Sequence, residues 1–484
     1  MSLPAGFLDA LGSAVGREWV RTDQAALDRC SVDALKRDGR RPDVVVCPGT
    51  TAEVASVARL CDRARVPLVP RGGGTGYTGG AVPVHGGVVL SLERMARILE
   101  IDEANLLAVV EPNVVNADLQ DAAARVGLFY PPDPASLRES VIGGNVAECA
   151  GGPRAFKYGT TRRYVLGLEA VLATGEIVRT GGKTVKNVVG YDLTQLLIGS
   201  EGTLAIVTRI VVRLLPHPPT AVTLRATFPD IERAVAAVAE IVRERVVPAA
   251  IELVDRESLE AVAAHLRTDA LAPPGAGALL LVEVDGFASA VEEEAARVEA
   301  ACGRAAPTEL IRARDETQRD ELWRVRRELS QALRNIAPLK LNHDVVVPKG
   351  RIPSLFALID ELRQRYGLRV PCFGHAGDGN IHVNIMVDPA DQGALARAHE
   401  AERRLFEGVV ALEGAISGEH GIGFTKAKYL PLGLSEEEIA LMRRVKQAFD
   451  PHGILNPGKI FPDAPGSTSP STTSAARGGG MAGR

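Results

Sequence analysis

Five short glycine-bearing segments lie between residues 71 and 204, and they limit the folds open to this chain. The first, Arg71-Gly72-Gly73-Gly74-Thr75-Gly76-Tyr77-Thr78-Gly79-Gly80, follows an apolar strand at 67–70. Successive glycines free backbone N–H groups to surround an anion. The run contains G-x-G-x-x-G from Gly74, but it lacks the lysine of a nucleotide-hydrolysing phosphate loop. No clear helix follows, which argues against the usual doubly wound dinucleotide fold. The other segments are SVIGGNVA at 140–147, AGGP at 150–153 with KYG at 157–159, VKNVVGYD at 185–192, and GSEGTL at 199–204, which leads into a strand. Gly143, Gly144 and Gly151 also suit close packing or turns, and one loop can serve both ends.

Around these segments the pattern alternates. Residues 1–38 read as a helical lead-in, and 44–47 as a short apolar strand. Thr50 with Glu53 forms a helix start, and Val54, Val57, Ala58 and Leu60 share one helix face. Further strands are expected at 88–90, 107–111, 165–172, 176–179 and 204–215. A proline-rich break, His217-Pro218-Pro219-Thr220, precedes a change of style. From 221 to 310 the chain reads VTLRATF, IERAVAAVAEIVRE, AIELVD, ALLLVEVDG and then an Ala/Glu-rich helix, an α+β pattern. The stretch APGSTSPSTTSAARGGGMAGR has no apolar period and is expected to be disordered. The expected units are therefore a lead-in at 1–38, a first domain at 39–217, a second at 218–462 and a tail at 463–484.

Composition removes several function classes. The chain has 484 residues, enough for two or three domains. A hydrophobic fraction of 46% and a charged fraction of 24% suit a soluble globular protein with a large core. A net charge of -4 and 4% aromatics give no general attraction to nucleic acid, so no such partner is expected. Cys30, Cys47, Cys61, Cys149, Cys302 and Cys372 contain no C-x-x-C pair, so no iron–sulfur cluster or zinc ribbon is expected within the chain. Their pattern suits reduced thiols in a cytoplasm. The N-terminal MSLPAGFLDALGSAVGREWV does not read as a signal peptide. No apolar run reaches the length of a membrane span, although peripheral contact with the inner face of a membrane is compatible with this sequence.

Beyond residue 370 the polar residues gather. GHAGDGNIHVNI, residues 374–385, holds two histidines, an aspartate and two asparagines among three glycines. Read alone, it is either half of a metal site or a polar turn entering a strand. The alternation at 381–386 puts His382, Asn384 and Met386 on one face, with Ile381, Val383 and Ile385 on the other. Asp378-Gly379-Asn380 is a turn signal that could bring His375 back towards His382. Ser417-Gly418-Glu419-His420-Gly421-Ile422-Gly423 supplies a carboxylate and an imidazole between glycines. His375, His382 and Glu419 would make a two-histidine, one-carboxylate site for zinc, manganese or iron. Asp378 reads as a turn former. A helix around 320–336 buries Leu322, Val325, Leu329, Leu333 and Ile336 and carries Trp323, Arg326 and Ser330 as a neighbouring stripe. In isolation Arg326 reads as a solvated or salt-bridged arginine.

In that order, PRGGGTGYTGG, IGGNVA, AGG, KYG, GYD and GSEGTLAIVT resemble the FAD-binding domain of the vanillyl-alcohol oxidase / p-cresol methylhydroxylase family. From about 40 to 462 the chain is similar to the glycolate oxidase D-subunit / D-lactate dehydrogenase / D-2-hydroxyglutarate dehydrogenase branch. GHAGDGNIH and GEHGIG match that branch's G-H-x-G-D-G-N-x-H and glutamate-histidine motifs. The resemblance implies an α+β fold, with a two-subdomain FAD-binding domain followed by an α+β cap domain and a C-terminal helical segment. It implies that backbone amides of residues 72–76 hold the FAD pyrophosphate. Further cofactor contacts are implied from Arg71, Gly72, Gly73, Gly74, Thr75, Gly76, Thr78, Gly79, Pro132, Ser140, Gly143, Gly144, Asn145, Gly151, Glu201, Ile206 and Asn456. Thr75 stands where some relatives carry an FAD-linking histidine, so the FAD is expected to be non-covalent.

The resemblance also implies metal ligation by His375, His382 and Glu419, substrate contact by Asn384, and His420 as the catalytic base. W-x-x-R resembles the family's substrate-clamping helix, so Arg326 is expected to hold a carboxylate, with Ser330 and Lys340 near it. Aligned from Pro348, the position that is lysine in 2-hydroxyglutarate-type relatives is Asn342 here, which favours a small monocarboxylate. The expected reaction is oxidation of a D-2-hydroxy acid such as D-lactate or glycolate, with hydride passing to flavin N5. Two alternatives share the scaffold: a flavoenzyme without net oxidation, of the ether-lipid synthase kind, and a subunit that hands electrons to a partner. Expected partners are a small 2-hydroxy acid and an electron acceptor or iron–sulfur subunit. A homodimer is compatible with the sequence.

Overall fold

The computed structural model describes residues 3–36, 39–268, 273 and 275–462. The expected tail at 463–484 lies outside the described residues. Three main sheets carry an α+β fold. The first has the order Val20–Arg21, Val44–Val46, Val88–Ser91, Leu68–Arg71 and is parallel apart from its first strand. Val44–Val46 and Val88–Ser91 are buried throughout, as strands covered on both faces must be. The covering helix Thr51–Ala64 starts as its sequence requires, with the Thr50 side chain accepting the Glu53 N–H. The Glu53 carboxylate accepts the Gly49 N–H at 2.7 Å, one residue short of a reciprocal capping box.

The lead-in does more than form helices. After the helix Phe7–Val15, which packs Phe7, Leu11 and Val15 into the core of the first sheet, it adds the strand Val20–Arg21. Asp33 then turns inward and accepts the Gly79 N–H at 2.7 Å.

The second sheet is antiparallel, in the order Ile98–Asp102, Leu107–Val110, Ile206–Arg213, Val165–Val171, Ile177–Gly181. The expected strand at 204–215 starts later, at Ile206, because Glu201 and Gly202 turn in the left-handed region. It also divides: Leu215–Pro216 leaves to pair with Leu128–Phe129.

The third sheet has seven antiparallel strands, in the order Glu309–Arg312, Thr220–Phe228, Ala278–Gly286, Ala250–Asp255, Cys372–His375, Asn380–Val387, Leu339–Val346. The helices Ile231–Arg243, Ala288–Arg304, Ile352–Tyr366 and Gln392–Ala411 build the large core on one face. Arg256–Leu266 and Glu316–Leu333 build a smaller one on the other. Ile381, Val383, Ile385 and Val387 enter the first core and Met386 the second, which is the strand alternation read from sequence. The helix expected at 320–336 runs from Glu316 to Leu333, because Asp315 caps it by accepting the Gln318 N–H.

The end of the described chain returns to the first sheet. Leu455 bridges Leu68, and the Asn456 N–H donates to the Leu68 carbonyl at 2.8 Å. The Asn456 side-chain amide donates to the Gly80 carbonyl at 2.9 Å and the Glu201 carbonyl at 2.7 Å. Its φ of +45° is one that asparagine tolerates. Asn456→Ala leaves two carbonyls without this donor, at about 1–3 kcal/mol each for a buried group. The expected outcome is a thermal midpoint several degrees lower with native circular dichroism at 20 °C (about room temperature). An unchanged midpoint would show that this clamp adds nothing to stability.

Candidate active site

A cavity of about 1460 Å³ lies among the three sheets. That is larger than a pocket for one drug-sized ligand. Arg71, Gly72, Gly73, Gly74, Thr75, Gly76, Gly143, Gly144, Asn145, Gly151, Glu201 and Ile206 line one side of it. The N–H groups of Gly72, Gly73, Gly74, Thr75 and Gly76 meet no protein acceptor among the described residues. The loop has no room for side chains. A Cβ at Gly72 would lie 2.6 Å from Val141 Cγ2, one at Gly73 2.7 Å from the Glu139 carbonyl, and one at Gly74 2.2 Å from Arg71 Nη2. Consecutive bare N–H groups in a left-handed turn form an anion cradle, so these residues fit the pyrophosphate of FAD.

Other residues named from sequence stand behind that wall. Thr78, Gly79, Pro132, Ser140 and Asn456 do not line the cavity. The Thr78 hydroxyl donates to the His420 carbonyl at 3.0 Å. The Pro132 carbonyl accepts the side-chain amides of Asn116 and Gln120, both at 3.0 Å. Ser140 Oγ is buried with no partner among the described residues. Arg71 lies under the loop, donating to the carbonyls of Ala81 and Arg29. Asn145 donates to Asn116 Oδ1 at 3.0 Å. Glu201 accepts the N–H groups of Ile422 and Gly423 at 2.7 and 2.6 Å, tying the last glycine segment to the GEHGIG turn. The segment at 185–192 does not reach the cavity, and Lys157 and Tyr158 instead clamp Asp285 at 2.5 and 2.7 Å.

Facing the cradle are His375, His382, Glu419, His420, Arg326, Ser330 and Lys340. Register explains the histidine pair: Phe373 opposes His382 and His375 opposes Asn380 across antiparallel strands. His375 and His382 are therefore diagonal neighbours on one face, with ring centroids 5.3 Å apart. Asp378 accepts the Asn380 N–H at 3.3 Å, the turn role read for it. Glu419 Oε1 lies 3.6 Å from His375 Nε2 and 3.7 Å from His382 Nε2. One donor atom from each residue lies within 4.8 Å of the others. Burial, reinforced by the His375 charge, lowers His382 to about 3. Its ring is neutral and its nitrogen lone pair is free to bind a metal. Two imidazoles and a carboxylate suit a divalent ion.

His420 lies between two rings, with Tyr77 of the glycine loop at 5.3 Å and His382 at 5.5 Å. Asn384, expected to touch substrate, is wholly buried and does not line the cavity. It donates to the carbonyls of Pro371 and His382, both at 3.1 Å, and its own oxygen accepts the Asn342 amide at 2.7 Å. Asn342 lines the cavity in its place. The Lys340 ammonium donates to Ser330 Oγ at 3.0 Å.

Two buried carboxylates were missed in the sequence. Glu252 sits at the centre of AIELVD. One of its oxygens accepts Arg326 Nε and the other meets His375 Nδ1 at 2.5 Å. Burial alone would raise this carboxyl, but the charges of His375 and Arg326 outweigh it and hold Glu252 at about 2. Arg326 is thus salt-bridged, as its plainest reading had it, and still lines the cavity. Asp344 Oδ2 accepts the N–H groups of Gly418, Glu419 and His420 at 2.9, 2.7 and 2.9 Å. The signal for Glu252 was a carboxylate flanked by apolar residues in a strand, since such a group stays buried only with dedicated partners, whereas Asp344 lies in the mixed strand LKLNHDVV and carried no such signal.

The comparisons agree with this geometry. Residues 42–181 match the family described as "FAD binding domain", and residues 217–460 match "FAD linked oxidases, C-terminal domain". The chain is 42% identical to glycolate oxidase subunit GlcD of Bacillus subtilis, over 89% of this chain and 91% of the relative. It is 39% identical to a D-lactate dehydrogenase of Archaeoglobus fulgidus, over 86% of this chain and 91% of the relative. The structure of p-cresol methylhydroxylase superposes with a TM-score of 0.79 at 18% identity, covering 95% of this chain and 98% of that one. The chain belongs to the FAD-linked oxidases, with a fold of the p-cresol methylhydroxylase type.

Glu252→Gln keeps the shape of the side chain but removes the charge shared by His375 and Arg326. Outer partners of metal-binding histidines typically contribute about 10- to 100-fold in affinity. Calorimetric titration with Zn²⁺ or Mn²⁺ should show a loss of that size, and equal affinities would separate Glu252 from the metal site.

Proposed function

We propose that this member of the FAD-linked oxidases oxidises a small D-2-hydroxy acid, D-lactate or glycolate, to the 2-oxo acid. The observation that carries this reading is one cavity wall bearing His375, His382, Glu419, His420 and Arg326 opposite the five bare amides of residues 72–76. FAD held at residues 71–76 would take up the hydrogen and electron pair lost from C2, and a divalent ion held by His375, His382 and Glu419 would polarise the hydroxyl.

The chain's own residues have distinct tasks in this scheme. Arg326 commits Nε to Glu252, and its terminal nitrogens have no acceptor among the described residues. They form the fork that a substrate carboxylate accepts. His420 removes the hydroxyl proton. Its Nδ1 lies 4.0 Å from Asp344 Oδ2, whose negative charge stabilises the protonated ring. Burial would raise the Asp344 carboxyl, but His420 and Lys426, with the Glu419 N–H bond, hold it well below its ordinary value, so it stays ionised. Tyr77 and His382 fix the plane of the His420 ring. Lys340 adds a second cation on the same wall. With Asn342 rather than a lysine beside it, the site favours a small monocarboxylate.

The likeness to a protein named a subunit supports a second element of the proposal, an electron-accepting partner protein. No helix among the described residues is long and apolar enough to cross a membrane. All six cysteines are free, which suits a reducing cytoplasm, where we place the enzyme.

His420→Ala should retain FAD while anaerobic bleaching by D-lactate or glycolate slows by about 10²–10⁴-fold, the usual contribution of a positioned base. Bleaching at the wild-type rate would remove His420 from the chemistry. Lys340 gives a pH test. Burial, with help from the Arg334 charge, lowers its ammonium to about 8, so the cation is present below that pH and lost above it. KM for the anionic substrate should rise above pH 8 (about tenfold for a charged contact). Lys340→Met should show the higher KM throughout with no such step. A variant that keeps the step would exclude Lys340 as its source.

A further inference from the structure

The fourth glycine-bearing segment, the one that does not reach the cavity, has a different use. It connects the strand Ile177–Gly181, at one edge of the second sheet, to the helix Leu193–Leu197. Val185 is 70% exposed, Val188 96%, Val189 90% and Tyr191 94%. Val188, Tyr191 and Val189 are the three most exposed large apolar side chains among the described residues, ahead of Phe287 at 77%. Isolated exposed apolar residues need no explanation, but a contiguous group marks an interaction surface. Leu193 and Leu196, in the helix that follows, are also exposed, and so is Lys186.

The loop is held in this form. Asn187 Oδ1 accepts the Val189 N–H at 3.0 Å, the Leu193 N–H donates to the Tyr191 carbonyl at 2.9 Å, and Asp192 caps the helix. At its base Lys183 binds Glu100 at 2.6 Å. A tip stabilised at both ends presents its apolar side chains outward at little further entropic cost on binding.

Its location gives the surface a purpose. The helix Leu193–Leu197 has five residues, a length of about 8 Å at 1.5 Å per residue. Its first residue borders the apolar tip, and its last, Leu197, lines the cavity together with Ser200, Glu201 and Gly202. Arg162 fixes the far end by donating to the carbonyls of Gln195 and Ile198, both at 2.8 Å. The exposed tip is thus one short helix from the wall of the flavin site. Two electrons taken from each substrate molecule must leave that site. Among the described residues the His375, His382, Glu419 group is the one candidate metal cluster, and it belongs to the substrate side.

We infer that the 185–191 loop, with Leu193 and Leu196, is the docking surface for the protein that receives these electrons. This rests on the partner-protein reading above. The partner would carry the next redox centre. It would offer an apolar socket for Val188, Val189 and Tyr191, a carboxylate for Lys186, and an extended segment able to pair with the open edge of Ile177–Gly181. A protein is favoured over a lipid surface because the tip adjoins an unpaired strand edge and carries one free-standing lysine rather than a basic cluster.

The test compares the full chain with a Val188→Ser, Val189→Ser, Tyr191→Ser variant, each tagged and purified from the cells that make it. A photo-crosslinking residue at position 191 adds a direct contact readout. Anaerobic flavin reduction and dye reduction by the isolated chain should be equal for both, since none of the three side chains lines the cavity. The wild type should purify with a stoichiometric second protein containing a redox cofactor, with crosslinks from 191 running to it. The variant should bind that protein at least about tenfold more weakly, as expected for a centre of interface energy. Partner binding unchanged in the variant would overturn the surface while leaving the partner reading intact. A wild-type chain with no partner would defeat that reading and this inference together. Crosslinks to a second copy, or loss of sedimentation with phosphatidylcholine–phosphatidylglycerol vesicles as the variant's sole defect, would also overturn it.

Discussion

Three consecutive backbone N–H groups, those of Gly418, Glu419 and His420, converge on one oxygen of Asp344, and the rest of the site takes its position from that contact. A fully buried carboxylate is costly unless its lone pairs are filled by donors. Asp344 meets that condition by curling the turn around itself, and its other oxygen takes the Asn380 amide at 2.5 Å. One buried charge therefore aims the Glu419 carboxylate and the His420 ring together and joins the turn to the strand that carries His382. The same turn continues to Ile422 and Gly423, whose N–H groups bind Glu201 on the flavin side. Asp344 in the third sheet and Glu201 in the turn before the strand Ile206–Arg213 thus grip the six residues 418–423 between them.

Glu252 does for the substrate wall what Asp344 does for the turn. It lies on the strand Ala250–Asp255, next to Cys372–His375 in the third sheet, so His375 is within reach across one strand pair. Its second oxygen takes Arg326 from a helix packed on the same face. The group that orients His375 is also the group that orients Arg326. Moving either partner changes the balance of charge felt by the other. The charge around His375 and that around Arg326 are therefore linked through a single carboxylate.

The parts of this arrangement that were legible from sequence share one property, in that their signal is local. Strand alternation placed His382 on the face away from Ile381 and Val383, the Asp378-Gly379-Asn380 turn returned His375, and the glycine-rich run at 72–76 left five consecutive N–H groups without a protein acceptor among the described residues. Asn384 was read wrongly in position, although its strand face was right. Facing the site does not ensure reaching it when the neighbouring strand carries Asn342 at the paired position and takes the exposed place. Asn456 and Thr78 were expected at the cofactor from the family resemblance, but neither lines the cavity and their polar atoms are used on backbone carbonyls. Glu252 and Asp344 were hidden because nothing within a few residues of them shows which distant groups complete their bonding. The lead-in likewise hid its strand and Asp33, since two residues beside a helix carry no periodicity.

The segment at 185–192 shows where motif reading and physical reading separate. Its order among the glycine segments suggested a place at the cofactor, and a glycine at positive φ is needed there, as Gly190 at +77° shows. Yet the four apolar side chains it carries are nearly free of protein contact, whereas cofactor-side residues such as Gly143 and Asn145 sit against packed neighbours. Val44, Val45, Val46, Val54, Val57, Val88 and Val89 are each at 1% exposure or less, and even the exposed Val126, Val242 and Val247 stay below 50%, so three valines at 70% or more stand apart. The hydrophobic term opposes that placement. Exposure held in place by Asn187, Asp192 and Lys183 is therefore a property of the folded surface rather than an accident of a loose loop, and it points to function outside the chain.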